Sequence, residues 1–126
     1  MIRKILVVED NHEILSLMEK KLIDRGYVVH SIREGHHVLP QAKIFCPDCI
    51  LMDLILPDID GAEVVRLLQQ DQDLKNVKIL FISGIVTQAT EAPPFVRVGG
   101  ISYPAIAKPF SIQELVNRIK ILSESQ

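Results

Sequence analysis

Tryptophan is absent, aromatic residues make up only 5% of the chain, and there are two cysteines among 126 residues. Two thiols cannot build a disulfide framework. Cys46-Pro47-Asp48-Cys49 has the C-x-x-C form, yet a redox or zinc reading needs the first thiol at a helix N-terminus or a second Cys/His pair, and the sequence offers neither. Cys49 opens an apolar run and reads as a small buried hydrophobe. His12, His30, His36 and His37 lack ligand spacing and read as surface positions. Excess charge of one sign is also missing: the net charge is -2, which gives no basic field of the kind nucleic-acid binding needs, so no direct nucleic-acid partner is expected. Long hydrophobic runs are lacking too. Ile5 to Val8, Cys49 to Met52 and Ile79 to Ile82 fall far short of the roughly 20 residues of a membrane span, and no charged-then-apolar leader opens the sequence. A cytoplasmic protein with no membrane partner is expected.

What is present, 48% apolar residues against 24% charged, suits one domain over residues 1–126 with a single core. No repeats or low-complexity tracts interrupt it. Short β-branched runs at Lys4 to Val8, Val28 to Ile32, Asp48 to Met52, Val77 to Ile82 and Ala105 to Ala107 predict five strands. Three of them are apolar on both faces, as strands of a parallel sheet covered by helices must be. Between the first two, Ile14, Leu15, Leu17, Met18, Leu22 and Ile23 follow helical spacing that stops at Gly26. A second helix is expected around His37 to Phe45 with Pro40 in its first turn. Asp60-Gly-Ala-Glu63 and Ser111-Ile-Gln-Glu114 have the form of capping boxes ahead of two further apolar stripes. A helix is also due between the last two strands, within Val86 to Gly100. Pro93-Pro94 falls in its middle, at a cost of about 3 kcal/mol for a proline in a helix interior, so that helix is expected to be short, broken or missing. The alternation predicts a three-layer α/β fold with a five-stranded parallel sheet.

In such a sheet, ligands bind beyond the carboxyl ends of the strands. The residues there are Glu9 and Asp10 after the first strand, Asp53 after the third, Ser83 and Gly84 after the fourth, and Lys108 and Pro109 after the fifth. Seven of the 16 acids (Glu9, Asp10, Glu13, Asp53, Asp58, Asp60, Glu63) lie in two stretches without Lys or Arg. Carboxylates gathered this way resist ionising together unless a cation joins them, and Mg²⁺ suits a site with few protein ligands. A carboxylate on such a metal can attack a phosphoryl group whose oxygens the metal and Lys108 neutralise. Each residue also has an ordinary structural reading: a loop acid, a turn serine, a solvated lysine. Their convergence from four strands on one edge is what favours chemistry. Asp58 and Asp60 read as a turn residue and a helix cap.

Taken in order, Glu9-Asp10, Asp53-Leu-Ile-Leu-Pro57-Asp-Ile-Asp-Gly61, Ser83-Gly84 and Lys108-Pro109-Phe110 resemble the receiver domain of two-component response regulators over essentially the whole chain. The resemblance implies a flavodoxin-like fold with strand order 2-1-3-4-5. It also implies a phosphorylation-dependent signalling switch of a phosphorelay. Asp53 would be the phosphoacceptor, and Glu9, Asp10, Asp53 and the main-chain carbonyl of Ile55 would hold Mg²⁺. Ser83 would be the switch hydroxyl, Lys108 would bind the phosphoryl group, and the Lys108–Pro109 peptide would be cis. Gly84 would leave room for the phosphoryl group, although a plain turn glycine is equally consistent. A sensor histidine kinase or a histidine phosphotransfer protein would donate the phosphoryl group, and an unidentified downstream protein would sense it. The chain would catalyse only its own phosphorylation and be no enzyme toward other substrates. It would be a stand-alone receiver or one cut from a longer protein.

Two departures from the family stand out. Ala105 occupies the position where receivers carry an aromatic ring, and Tyr103 two residues earlier could replace it only by a shift of register. The altered stretch Val86 to Gly100 is expected to carry the phosphorylation-induced change instead. Ile55 and Ile85 flank the path of an attacking water without offering it a hydrogen-bonding group, which predicts slow loss of the phosphoryl group. The alternative is a phosphorylation-independent interaction module of the same fold. A hydrolase of aspartyl-phosphate type would want D-x-D where Glu9-Asp10 stands, and a flavin-binding protein would want a phosphate loop where the acidic Glu9 to Glu13 lies.

Overall fold

The computed structural model describes residues 1–84 and 95–124. In chain order these form β1 (Lys4–Val8), α1 (His12–Asp24), β2 (Val28–Ile32), a 3-10 turn (Gly35–His37), α2 (Val38–Phe45), β3 (Cys49–Asp53), α3 (Gly61–Gln69), β4 (Lys78–Ser83), β5 (Phe95–Val98), β6 (Ile101–Ala107) and α4 (Ile112–Glu124). The sheet order is β2-β1-β3-β4-β6-β5. Every pairing among β2, β1, β3, β4 and β6 is parallel, whereas β5 pairs antiparallel with β6. The expected 2-1-3-4-5 parallel sheet is therefore present with β6 in fifth place, but a sixth strand makes the whole sheet mixed.

That sixth strand is not among those expected: the helix due within Val86 to Gly100 is expected to be short, broken or missing, and the described part of that segment, 95–100, is a strand and turn, while residues 86–94 lie outside the described residues. Phe95 to Val98 is a strand joined to β6 by Gly99 and Gly100, with φ +56° and +80°. Two consecutive positive φ angles are what a tight two-residue hairpin turn demands, and two glycines meet that demand without strain. Ile85 and the Pro93-Pro94 pair lie outside the described residues. The hairpin also corrects the placement of Pro104, expected on an edge strand: β6 is internal, and its ladder with β4 begins one residue later, at Ala105 opposite Phe81.

The core divides between the two faces of the sheet. Leu6, Val8, Ile50, Met52 and Phe81 pack against α2 and α3 on one face, while Ile5, Val7, Leu51, Leu80 and Ile106 pack against α1 and α4 on the other. Every residue of β3 is buried, as a central strand of a doubly covered sheet must be. The α1 stripe is narrower than its sequence suggests: Leu15, Met18 and Leu22 are buried, but Leu17 and Ile23 are exposed. Buried Cys49 has its thiol pushed up to about 12 by desolvation, which leaves it inert. Both cysteines are free. Among the described residues no helix is long and apolar enough to cross a membrane.

Caps fix where the helices start. Asn11 Oδ1 accepts the Ile14 amide at 3.0 Å ahead of α1, and Ser111 Oγ accepts the Glu114 amide at 3.0 Å ahead of α4. The expected box at Asp60 does not form with side chains: Asp60 makes no side-chain cap, and Glu63 faces Arg66 instead. What sets this helix start is Gly61. Its amide donates to the Leu54 carbonyl at 2.8 Å, and a Cβ built there would sit 2.1 Å from the Asp53 carbonyl oxygen. Asp58, expected as a turn residue, clamps the neighbouring loop by accepting the amides of Gly35 and His36 at 2.8 and 2.9 Å. Because the atom opposing a Cβ at Gly61 is backbone, Gly61→Ala should destabilise the fold by about 1–3 kcal/mol. Urea denaturation checks this; an unchanged midpoint would contradict it.

Candidate functional site

The strand ends meet at one corner of the sheet. The Glu9 amide donates to the Ile32 carbonyl at 3.0 Å, tying the residue after β1 to β2. Asp53 closes β3 opposite Ile82, Ser83 closes β4, and the Lys108 amide donates to the Ser83 carbonyl at 3.1 Å. Glu9 is fully buried, Asp53 and Ser83 nearly so, and Asp10 is exposed. One oxygen from each of Glu9, Asp10 and Asp53 lies within 4.8 Å of the others.

Lys108 closes this arrangement. Its Nζ donates to Glu9 Oε1 at 2.6 Å and to Asp53 Oδ2 at 3.0 Å. The second oxygens are also engaged: Glu9 Oε2 accepts the Asn11 amide and Asp53 Oδ1 the Ile55 amide, each at 3.1 Å. Four hydrogen bonds from three donor groups thus hold two buried carboxyls in fixed orientation. The peptide between Lys108 and Pro109 is cis.

Burial is the largest influence on Glu9 and raises its pKa; the adjoining Asp53 carboxyl pushes the same way, and Lys108 and the Asn11 amide only partly oppose them. Burial would lower the pKa of Lys108, but its hydrogen bonds to Glu9 and Asp53 outweigh that and raise it. Two carboxyls crowded against one ammonium are a set of hard oxygen donors that a divalent cation suits, and exposed Asp10 leaves a side open for its waters. The donor set therefore fits Mg²⁺.

The structure brings Glu9, Asp10, Asp53 and Lys108 together as the sequence suggests, with Ser83 on the adjoining strand end. The side chain of Ile55 is exposed, and its amide serves Asp53. At Gly84 a Cβ would meet no described atom within 4 Å, so any crowding there would have to come from the phosphoryl group itself. Tyr103 does not replace the missing ring. Its hydroxyl accepts from Gln69 Nε2 at 2.8 Å and its ring meets Phe81 edge-on at 5.9 Å, on the α3 side of the sheet, with β6 in register. Sequence reasoning missed two residues that shape the site, Asn11 as the amide donor to Glu9 and Gly61 as the close neighbour of Asp53. An N-cap asparagine and a glycine directly after Asp60 were the available signs.

Replacing Lys108 by methionine keeps an apolar stem and removes the charge that opposes burial at Glu9. In Lys108→Met, Glu9 should hold its proton to a higher pH than in the parent. Because the unfolded chain releases that proton earlier, stability should fall as pH rises from the ordinary carboxylate value of 4.5 through the raised one, over a wider window. A carboxyl ¹³C titration follows Glu9 directly; an unchanged or lower midpoint would contradict the account.

The chain matches the family model described as response regulator receiver domain over residues 5–120. It is 30% identical over 120 residues to the polar-differentiation response regulator DivK of Brucella ovis, covering 95% of each chain. Among solved structures, a putative response regulator from Chloroflexus aurantiacus superposes with a TM-score of 0.80 at 28% identity, covering 97% of this chain and 98% of that one. The receiver domain of the sensor histidine kinase PA1611 from Pseudomonas aeruginosa, solved with magnesium coordinated in its active-site cleft, superposes with a TM-score of 0.82 at 26% identity, covering 99% and 100%. Sheet order, the acid corner and the family match agree, and the chain belongs to the response regulator receiver domain family.

Proposed function

We propose that this receiver is a phosphorylation-dependent switch that accepts a phosphoryl group on Asp53 and carries it as an aspartyl phosphate. The observation that supports this best is the pair of buried carboxyls, Glu9 and Asp53, held by one lysine with exposed Asp10 beside them. Nothing in that corner favours a module that works by contact alone.

Asp53 is the nucleophile. An oxygen of its carboxylate forms the new O–P bond while the P–N bond of a phosphohistidine breaks, and the imidazole nitrogen leaves with the electron pair. Glu9 and Asp10, with Asp53 and the main-chain carbonyl of Ile55, would hold Mg²⁺, which supplies charge neutralisation at the phosphoryl oxygens. Lys108 then exchanges its bond to the Asp53 carboxyl for one to the transferred group, and Ser83 offers its hydroxyl to another phosphoryl oxygen. The donor is a sensor histidine kinase or a histidine phosphotransfer protein in the cytoplasm. A groove of about 630 Å³ beside Lys108 gives such a donor a place to sit; Leu17, Met18 and Lys21 of α1 form one wall and Pro109, Phe110 and Ile112 the other. The protein acts on no other substrate, and a downstream protein reads its state.

Incubation with acetyl phosphate should add one phosphoryl group by intact mass, only with Mg²⁺ present and not in Asp53→Asn. Addition without Mg²⁺, or undiminished in Asp53→Asn, would contradict the assignment. Once formed, the aspartyl phosphate should persist for minutes or longer, because exposed, apolar Ile55 gives an attacking water no hydrogen-bond partner. A lifetime of seconds in a chase without donor would contradict this.

A further inference from the structure

The acid corner has a second cation that the phosphorylation chemistry does not use. Arg33 follows Ile32, the last residue of β2, whose carbonyl holds the Glu9 amide. Its guanidinium donates back across the corner to the main-chain carbonyl of Asp10 at 3.3 Å. Asp10 and Arg33 are both exposed, in contrast to buried Glu9 and Asp53. Three carboxylates are therefore flanked by two cations. Lys108 serves the two inner acids, and exposed Arg33 is bonded to the main chain of the third. Among the described residues no carboxylate pairs with Arg33 within ion-pair distance, so its charge is not cancelled locally.

We propose that Arg33 is a positioning residue that sets the divalent-cation affinity of the site. Its fixed positive charge at the open side opposes an incoming dication while its hydrogen bond holds the main chain of Asp10. This rests on the reading of the corner as a Mg²⁺ site. An arginine cannot shed its proton in a protein, so the opposition holds at every pH and weakens only with salt. The site then fills as a function of magnesium concentration and ionic strength together, and readiness for phosphorylation follows both.

The test is a Mg²⁺ titration of the full chain, followed through the amide resonances of Asn11 and Ile55, whose N–H groups rest on the acids. Parent, Arg33→Gln and Arg33→Lys are compared at low and high salt. Arg33→Gln should bind Mg²⁺ roughly fivefold more tightly at low ionic strength, with the gap closing at high salt. Arg33→Lys, which keeps the charge, should match the parent. Equal affinities at low salt would overturn the proposal, as would weaker binding by Arg33→Gln, which would leave Arg33 only the task of holding the Asp10 main chain. No magnesium response in the parent would overturn the metal-site reading and this inference with it.

Discussion

The bridge from Lys108 to Glu9 and Asp53 is the interaction on which the rest depends. It joins residues 99 and 55 positions apart in the chain, so the sheet must be assembled before any of the three is in place. Taking two carboxyls out of water is unfavourable unless cation and amide donors replace the lost hydration. Lys108, Asn11 and Ile55 do so, and removing one partner of such a buried pair typically costs about 3–5 kcal/mol. The same cation that holds the resting corner together lies where a phosphoryl group on Asp53 would need it. Structural and chemical demands therefore fall on one side chain.

The sheet exists to hold that corner still. Because β1, β3 and β4 are buried on both faces, their ends cannot shift without disturbing two packed layers. The loops beyond them are fastened separately, by the Asp58 clamp on Gly35 and His36 and by the close approach of Gly61 to Asp53. Two amide donors at Asp58 and the adjoining His36 ring outweigh its desolvation and keep its carboxyl at about 2, so the clamp stays charged over the whole working range of pH. At the far edge Gln69 joins α3 to the hairpin, donating to the Val98 carbonyl and the Tyr103 hydroxyl. The β5–β6 hairpin is thus fixed to the core through α3.

Most of the fold was legible in the sequence because parallel strands buried on both faces leave unbroken apolar runs, and amphipathic helices between them leave their own period. The acid corner was legible for a related reason: the strand-end rule collects Glu9, Asp10, Asp53, Ser83 and Lys108 without knowledge of any contact. Strand β5 was not, because the alternation of strands and helices created an expectation of a helix just where Gly99-Gly100 between two β-branched runs signalled a hairpin. The Asp60 cap failed for another reason. A capping box is a pattern of residue types, and the close packing of Gly61 against the Asp53 backbone settled the helix start instead. Arg33 left no trace at all, since its hydrogen bond to Asp10 spans two loops that only the folded sheet brings together.

The most direct test of the account is to find where the phosphoryl group resides. Borohydride reduces an aspartyl phosphate to homoserine, and peptide mass spectrometry of the phosphorylated, reduced protein then locates it. Homoserine at position 53 and at no other acid is the predicted result. Homoserine at Asp10, 5-hydroxynorvaline at Glu63, or neither product in protein that has gained a phosphoryl group, would contradict the assignment of Asp53 as the residue that Lys108 holds ready.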